Sequence, residues 1–396
     1  MKNILFITWD GPQTTYMEGL FMPILSEVQS QSGYVFHIIQ FTWGTPEKVA
    51  ITQKAADELQ LKYASRRITR KPIAFLGTLF TLYKGIRFLN TYIKNNNISI
   101  VMPRSTMPAI MVNRIRKQHF KFIFDADGLP LEERVDFSGL SRESKQYQWL
   151  KAEESKMLSR ADVVLTRSQE AVHIHSNTLK NKNTAKFSVV SNGRNSEFFK
   201  PNLSQREKIR NELGISGQDK VLVYCGSLGP QYGWDEMVAI FKEYQAKNPS
   251  ALFLILTGNV AFAKERIPNE MKKAMLVKTI PFVQVPHYLA AADVAFAIRE
   301  PKFSMQGVAP IKLGEYLLMG IPTIASVGIG DTEQILNAIP NCFLYHHQNP
   351  NRVAGAVAFI EGLGNTNFEA IRKFALPFFS IGNSAASYCN ALDKIK

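Results

Sequence analysis

With 396 residues the chain exceeds what one small core can organise, so two domains of about 150–200 residues are expected. At 45% hydrophobic and 20% charged residues it has a globular make-up, and the lack of any run of about 18 uncharged apolar residues excludes a membrane-spanning helix. The net charge of +14 is uneven: between Leu59 and Phe124 there is no Asp or Glu, against thirteen Lys and Arg.

Met1-Lys2-Asn3 leads straight into Ile4–Thr8, a first strand too short and too soon charged for a signal peptide. Asp10-Gly11-Pro12 turns the chain. Thr14 to Ser30 has helical spacing through Met17, Phe21, Leu25 and Val28, and Tyr34–Phe41 is a second buried strand. Strand, helix, strand in that order predicts a parallel sheet with right-handed crossovers.

The basic segment follows, with Lys62, Arg66, Arg67, Arg70, Lys71, Lys84, Arg87, Lys94, Arg104, Arg114, Arg116, Lys117 and Lys121. Phe75, Leu79, Leu82, Ile86, Leu89 and Ile93 fall at helical spacing, and Phe80, Tyr83, Phe88 and Tyr92 widen the apolar face. Two readings stand: a core helix with a wet basic side, or an interfacial helix resting on anionic lipid. Nucleic acid would also answer the charge, but no binding motif accompanies it.

Ile98–Met102 and Lys121–Phe124 are further strands, the second running into Asp125-Ala126-Asp127-Gly128. Two carboxylates at i and i+2 after a buried strand could hold a metal, but the same spacing is also common by chance; both readings remain open at this point. Gln146–Ser159 is helical, Asp162–Thr166 a strand, Ser168 a cap, and Phe187–Val190 the last strand of this half. The three cysteines, Cys225, Cys342 and Cys389, have neither pairing nor metal-ligand spacing, which fits a reducing cytoplasm. His346-His347 likewise lacks partners for a metal.

After Ser191-Asn192-Gly193-Arg194 and a polar linker (Asn202 to Asp219), strands are expected at Val221–Tyr224, Ala251–Thr257, Thr279–Phe282 and Val294–Ile298, with helices at Trp234 and Val285. This is a second doubly wound domain. Pro310 to Ala325, PIKLGEYLLMGIPTIA, has Pro near a helix start, Gly just past its end, and a buried strand beyond. Lys312, Glu315 and the helix N-terminus lie within one turn, which suits a nucleotide diphosphate (a cation and amides for phosphate, a carboxylate for ribose hydroxyls) but equally an ordinary strand-connected helix whose Lys and Glu face water.

Pro310–Ala325 resembles the segment S-P-x-K-x-x-E-Y-L-A-x-G-x-P-V-I-A of glycosyltransferase family 4, the retaining nucleotide-sugar transferases of GT-B fold. Asn192-Gly193 through Phe199-Lys200-Pro201 resembles that family's inter-domain segment, and Asp125, Gly128 and Glu132-Glu133-Arg134 its D-x-R-G region, with Asp127 in place of the arginine. The resemblance implies an α/β, GT-B architecture: two tandem doubly wound Rossmann-like domains facing a cleft. These would be an N-terminal acceptor-side domain with the basic face (1–200), a nucleotide-sugar domain (201–374) and a terminal helix crossing back (375–396). It gives Glu315 the ribose, makes Asp125 and Asp127 cleft-floor residues, and puts Gly226, Ser227, Gly258, Phe282, Gly328 and Gly330 around the donor.

Two departures matter. The family's diphosphate-clamping arginine and lysine correspond to Ser227 and Tyr232 here. A cation about 4 Å from phosphate is worth roughly 4 kcal/mol at an effective dielectric near 20, whereas a helix N-terminus supplies about 2. Arg299 and Lys312 are therefore expected to act as a relocated clamp. The family's first glutamate of its E-x7-E pattern falls at Gly307, leaving that sugar contact to Gln306 and the amides near Gly307.

The expectation is a metal-independent, retaining, hexosyltransferase-type enzyme with no cofactor, using a UDP- or GDP-sugar. It would act on a lipid-linked or polysaccharide hydroxyl in bacterial surface polysaccharide synthesis, in the cytoplasm and peripheral on the inner face of the cell membrane. Its catalytic residues would be Asp125, Asp127, Arg299 and Lys312, with an anionic membrane surface and no nucleic acid as partner. The alternatives are a non-catalytic GT-B subunit beside another transferase and a basic nucleic-acid-binding protein.

Overall fold

The computed structural model describes residues 2–11, 15–71, 73–116, 119–179, 184–216, 219–364 and 366–395. Met1, Pro12, Thr14 and Lys117, named above, lie outside them. The chain forms two compact units: Met1–Gly193 with Gln306–Val308 and Ile381–Lys396, and Arg194–Met305 with Ala309–Ser380. The first unit thus closes at Gly193 and is resumed by the last segment from Ile381.

The first unit is built on seven parallel strands: β1 (Lys2–Asp10), β2 (Tyr34–Thr42), β3 (Lys62–Arg67), β4 (Ile98–Pro103), β5 (Lys121–Asp125), β6 (Val163–Thr166) and β7 (Phe187–Val189). Their order is β3-β2-β1-β4-β5-β6-β7. Ile4, Leu5, Phe6 and Ile7 of β1 are fully buried, as expected where helices cover both faces of a parallel sheet. The winding reverses between β1 and β4, where doubly wound sheets open a crevice at the strands' carboxyl ends. Lys62–Arg67, read from sequence only as charge, is the edge strand beside β2; basic side chains on an edge discourage further strand addition.

The helix Ala74–Asn95 corrects the sequence reading of its faces. Leu82, Leu89 and Ile93 are buried as expected, but Phe75 is 56% and Leu79 38% exposed. The buried stripe of its first three turns is Gly77, Thr81 and Gly85, residues small enough for close approach. A Cβ on Gly77 would lie 2.4 Å from the Thr69 carbonyl oxygen, and one on Gly85 2.4 Å from the Met111 sulfur. Apart from Leu82, the larger side chains of those turns are thereby left on the outer side.

The second unit holds β8 (Val221–Cys225), β9 (Leu252–Leu256), β10 (Met275–Lys278), β11 (Val294–Ala297), β12 (Thr323–Ser326) and β13 (Cys342–Tyr345), all parallel, in the order β10-β9-β8-β11-β12-β13. Its switch point is β8/β11. The strand expected at Thr279–Phe282 ends at Lys278, because Pro281 cannot donate to a ladder and opens a short 3-10 turn instead. The expected linker contains a helix, Leu203–Glu212, capped by the Asn202 side chain and tied down by Arg206 and Arg210 on Asp293. The helix Ile311–Leu318 is buried from Leu313 onward and stops at Gly320, which has φ +71° and where a Cβ would lie 2.2 Å from the Phe368 carbonyl oxygen, leaving no room for a side chain.

Candidate functional site

Each unit carries a polar cluster at its own switch point. In the second unit the loop Gly226–Gly233 leaves β8 and the segment Arg299–Met305 leaves β11. Tyr224 donates its hydroxyl to the Ser227 carbonyl, and the Leu228 amide donates to Asn259 Oδ1 at 2.9 Å, next to Gly258. The loop is thus held between the ends of β8 and β9, with Ser227 and Gly258 exposed.

The two cations expected to replace the missing clamp flank this loop. Lys312 lies at its start: a Cβ on Gly226 would be 3.8 Å from Lys312 Cγ. Arg299 lies at its end, its guanidinium 4.9 Å from the Tyr232 ring centroid, with Tyr232 and Arg299 bridged through their backbones. The Arg299 amide donates to Ser326 Oγ at 2.9 Å, and Ser326 Oγ lies 2.9 Å from His347 Nε2. Burial pushes the His347 pKa down despite nearby Glu300 and Glu236. A neutral ring can accept from Ser326, so His347, set aside in the sequence as a metal ligand, fixes the hydroxyl that orients the Arg299 backbone. Gly330 donates its amide to the Met305 carbonyl at 2.9 Å, and Gly328 adopts φ +76° beside Pro301, so the glycine-rich turn after β12 packs on the same segment.

Glu315 is fully buried, and both of its oxygens are engaged. Lys312 Nζ donates to Oε2 at 2.8 Å; Arg194 donates to Oε1 through Nε, also at 2.8 Å, and through Nη2. Burial alone would raise the Glu315 pKa, but Lys312 and Arg194 outweigh it and hold the carboxylate ionised below its ordinary range. The same pairing raises the Lys312 pKa against the opposing effect of burial. Arg194 is only 8% exposed at its side chain, whereas Lys312 is 32% exposed. The Arg194 guanidinium also lies 5.5 Å from the ring of Phe282, itself 38% exposed. A hydroxyl ligand reaches Glu315 only by displacing one of its cations, and Lys312 is the one with room to move. Arg194, assigned from sequence to a structural hinge, is the residue missed here.

The first unit gathers Asp10, Arg104, Asp125, Asp127 and Arg167 at the carboxyl ends of β1, β4, β5 and β6. Asp125 is fully buried and accepts from Arg167 Nη2 at 2.8 Å; Arg167 also reaches the Tyr388 hydroxyl at 3.3 Å. Asp127 is paired with Arg104 and is 26% exposed, at φ +54°. Asp is one of the few residues besides Gly that adopts this left-handed conformation readily. Burial would lower the Arg104 pKa, but Asp127, Asp125 and Asp10 together raise it. Among the described residues no group of three His, Cys, Asp or Glu is placed to hold a metal ion.

Gln306 and Gly307 fall in the first unit: Ser168 Oγ donates to the Gln306 carbonyl at 2.6 Å, and a Cβ on Gly307 would lie 2.8 Å from Leu129. Arg104 and Arg167 were missed from sequence. The available signal was the one that singled out Arg299, a charge immediately following a buried strand.

Residues 205–371 match the family model described as glycosyl transferases group 1. No curated protein matches the sequence. Among solved structures, HepE of Anabaena in complex with UDP and glucose is similar at TM-score 0.72 and 13% identity, over 99% of this chain and 100% of that one. Sucrose-phosphate synthase of Thermosynechococcus elongatus is similar at 0.68 and 15%, over 100% and 99%. The UDP-GlcNAc 2-epimerase of Neisseria meningitidis bound to UDP-GlcNAc is similar at 0.60 and 11%, over 99% and 100%. At these identities the likeness is one of fold. The expected GT-B architecture is borne out, as is the resemblance at the level of the group 1 glycosyl transferases.

Proposed function

We propose, from the premise that residues 205–371 form a group 1 glycosyl transferase domain, that the chain is a retaining, metal-independent enzyme of family 4 type moving a hexose from a nucleotide-sugar to a hydroxyl acceptor. The observation carrying this reading is the pair of cations, Lys312 and Arg299, at the two ends of the β8 loop whose own clamp positions are Ser227 and Tyr232.

On donor binding Lys312 leaves Glu315 for the diphosphate, and the ribose hydroxyls take its place on the carboxylate. Arg194 stays and keeps Glu315 ionised. Arg299 meets the developing charge on the leaving phosphate, and backbone amides near Gly226 and Gly328 add to it. Phe282 offers its exposed face to the base. UDP is the first choice of nucleotide, since HepE is described with UDP, and GDP the second. In the first unit, Asp127 contacts the acceptor hydroxyl while Asp125, held by Arg167, positions the loop carrying it. The acceptor is lipid-linked, and the protein works peripherally on the inner face of a bacterial membrane in surface polysaccharide synthesis. The absence of acids between Leu59 and Phe124 supports this. No described helix is long and apolar enough to cross that membrane.

Calorimetric titration of UDP and GDP into the wild type and the Lys312→Ala and Arg299→Ala variants tests the reading. Loss of one charge-assisted phosphate contact should weaken nucleotide binding about 10-fold or more in each. Binding unaffected by both changes, or no binding of any nucleoside diphosphate, overturns it. Ser227 and Tyr232 favour one second reading, a donor-binding subunit that does not turn over. It predicts the same titrations with no release of nucleotide from the sugar donor under any acceptor.

A further inference from the structure

The first turns of the helix Ala74–Asn95 present most of their apolar side chains outward, Leu82 excepted. Ile73, Phe75, Leu76, Phe80 and Tyr83 are each about half exposed or more, at 48–60%, while its small residues are buried. Cations rest on these rings: Lys84 Nζ is 4.3 Å from the Phe80 centroid and Arg87 Cζ 4.6 Å from that of Tyr83. Beneath the patch is a pocket of about 310 Å³, lined by Phe41, Phe80 and Phe88 as an aromatic wall and by Arg66, Arg67 and Lys84 as its charges. Thr81, also in the lining, uses its hydroxyl to accept from the Thr69 amide at 2.9 Å, which fixes the loop forming the pocket's side. The lining contains no carboxylate.

Three cations without a counter-acid, in a pocket of headgroup size beside exposed aliphatic and aromatic side chains, match one chemistry: a phosphate whose substituents are hydrocarbon chains. We propose that this pocket is a socket for the phosphate headgroup of an anionic bilayer phospholipid, with Ile73, Phe75, Leu76 and Phe80 entering the interface around it. Arg66 and Lys84 bind the phosphate oxygens. Arg66 lies over the Phe88 ring at 3.9 Å and Lys84 over that of Phe80, so both cations are held on aromatic faces at the pocket's mouth. The proposal deepens the membrane part of the reading above and rests on it, while being independent of the sugar chemistry.

Simple adsorption depends on surface charge alone, each basic residue contributing similarly; a socket also distinguishes the anion. The full chain is sedimented with phosphatidylcholine vesicles carrying either phosphatidylglycerol or oleate, adjusted to equal surface potential. The socket predicts about 10-fold tighter binding to phosphatidylglycerol, the scale of one or two charge-assisted hydrogen bonds. Lys84→Ala should abolish that preference, whereas Lys94→Ala, which removes the same charge from the exposed last turn of the helix, should keep it. Both positions are exposed, so neither change threatens folding, and far-ultraviolet circular dichroism checks this. Equal binding to the two vesicle types, or equal effects of the two variants, overturns the socket and leaves non-specific adsorption. No binding to either vesicle overturns the membrane reading as well. Nucleotide titration of the same samples reports separately on the transferase reading.

Discussion

Glu315 accepts from two cations that differ in what each can do. Arg194 is locked among buried groups and Lys312 has solvent on one side, so the first sets the charge state and the second can be exchanged for a ligand. Removing Arg194 leaves a buried carboxylate with one partner, and breaking a buried pair in this way costs about 3 kcal/mol or more. Arg194→Met should therefore lower the stability of the second unit by about that amount in urea unfolding, while Arg194→Met combined with Glu315→Leu should recover most of it. The effect has a defined pH window. The folded-state pKa of Glu315 lies below its ordinary 4.5, so the pairing contributes fully above that value and is lost as the pH falls through the lowered one. The penalty of Arg194→Met should accordingly be constant near neutrality and shrink in acid. An unchanged urea midpoint at neutral pH would remove Arg194 from the network.

At the scale of an element, the Ala74–Asn95 helix inverts the usual rule for glycine. Exchanging Gly for Ala inside a helix normally gains about 1 kcal/mol. At Gly77 the added methyl would meet the carbonyl of Thr69, a backbone atom; at Gly85 it would meet the thioether of Met111, which can shift, and the Phe41 ring at 3.1 Å. Gly77→Ala should destabilise the first unit by about 1–3 kcal/mol, and Gly85→Ala by less. Thr91→Ala, on the exposed side of the same helix, should be neutral or stabilising. Stabilisation by Gly77→Ala would mean that the Thr69 loop does not pack there in solution. The same residues explain why this helix was legible in sequence and its faces were not. Its length and period follow from the spacing of Leu82, Leu89 and Ile93, but a stripe of Gly77, Thr81 and Gly85 scores as polar although it is buried. Strands with strong apolar runs, such as Tyr34–Thr42, were readable, while Lys62–Arg67 was hidden because its burial is slight and its composition basic.

Across the whole molecule, two candidate-site residues of one organising segment, Lys312 and Glu315, were readable because they share a single helical turn. Arg194 was not: it stands 121 residues away from Glu315 in sequence, and only the closing of the second unit brings them together. The first unit likewise depends on distant sequence. It is completed by the helix Ile381–Asp393, which packs on Met22–Gln31 and buries Ala385, Tyr388 and Leu392. Ser384 also donates to the Ser191 carbonyl, and Lys394 to that of Phe187 at 2.6 Å. Ending the chain after Ser380 would uncover apolar surface on the 22–31 helix and deprive Arg167 of the Tyr388 hydroxyl. The first unit should then unfold at lower denaturant, with hydrogen exchange in Met22–Gln31 accelerated first. The second unit, which contains none of those residues, should keep its own denaturation midpoint. Graded changes separate the contributions: Tyr388→Phe should cost about 1 kcal/mol for one hydrogen bond, and Leu392→Ala about 2–3 for the cavity. Unaltered exchange at Met22–Gln31 in the shortened chain would show that the last helix is an appendage, whereas selective loss of the first unit makes the final residues part of its core.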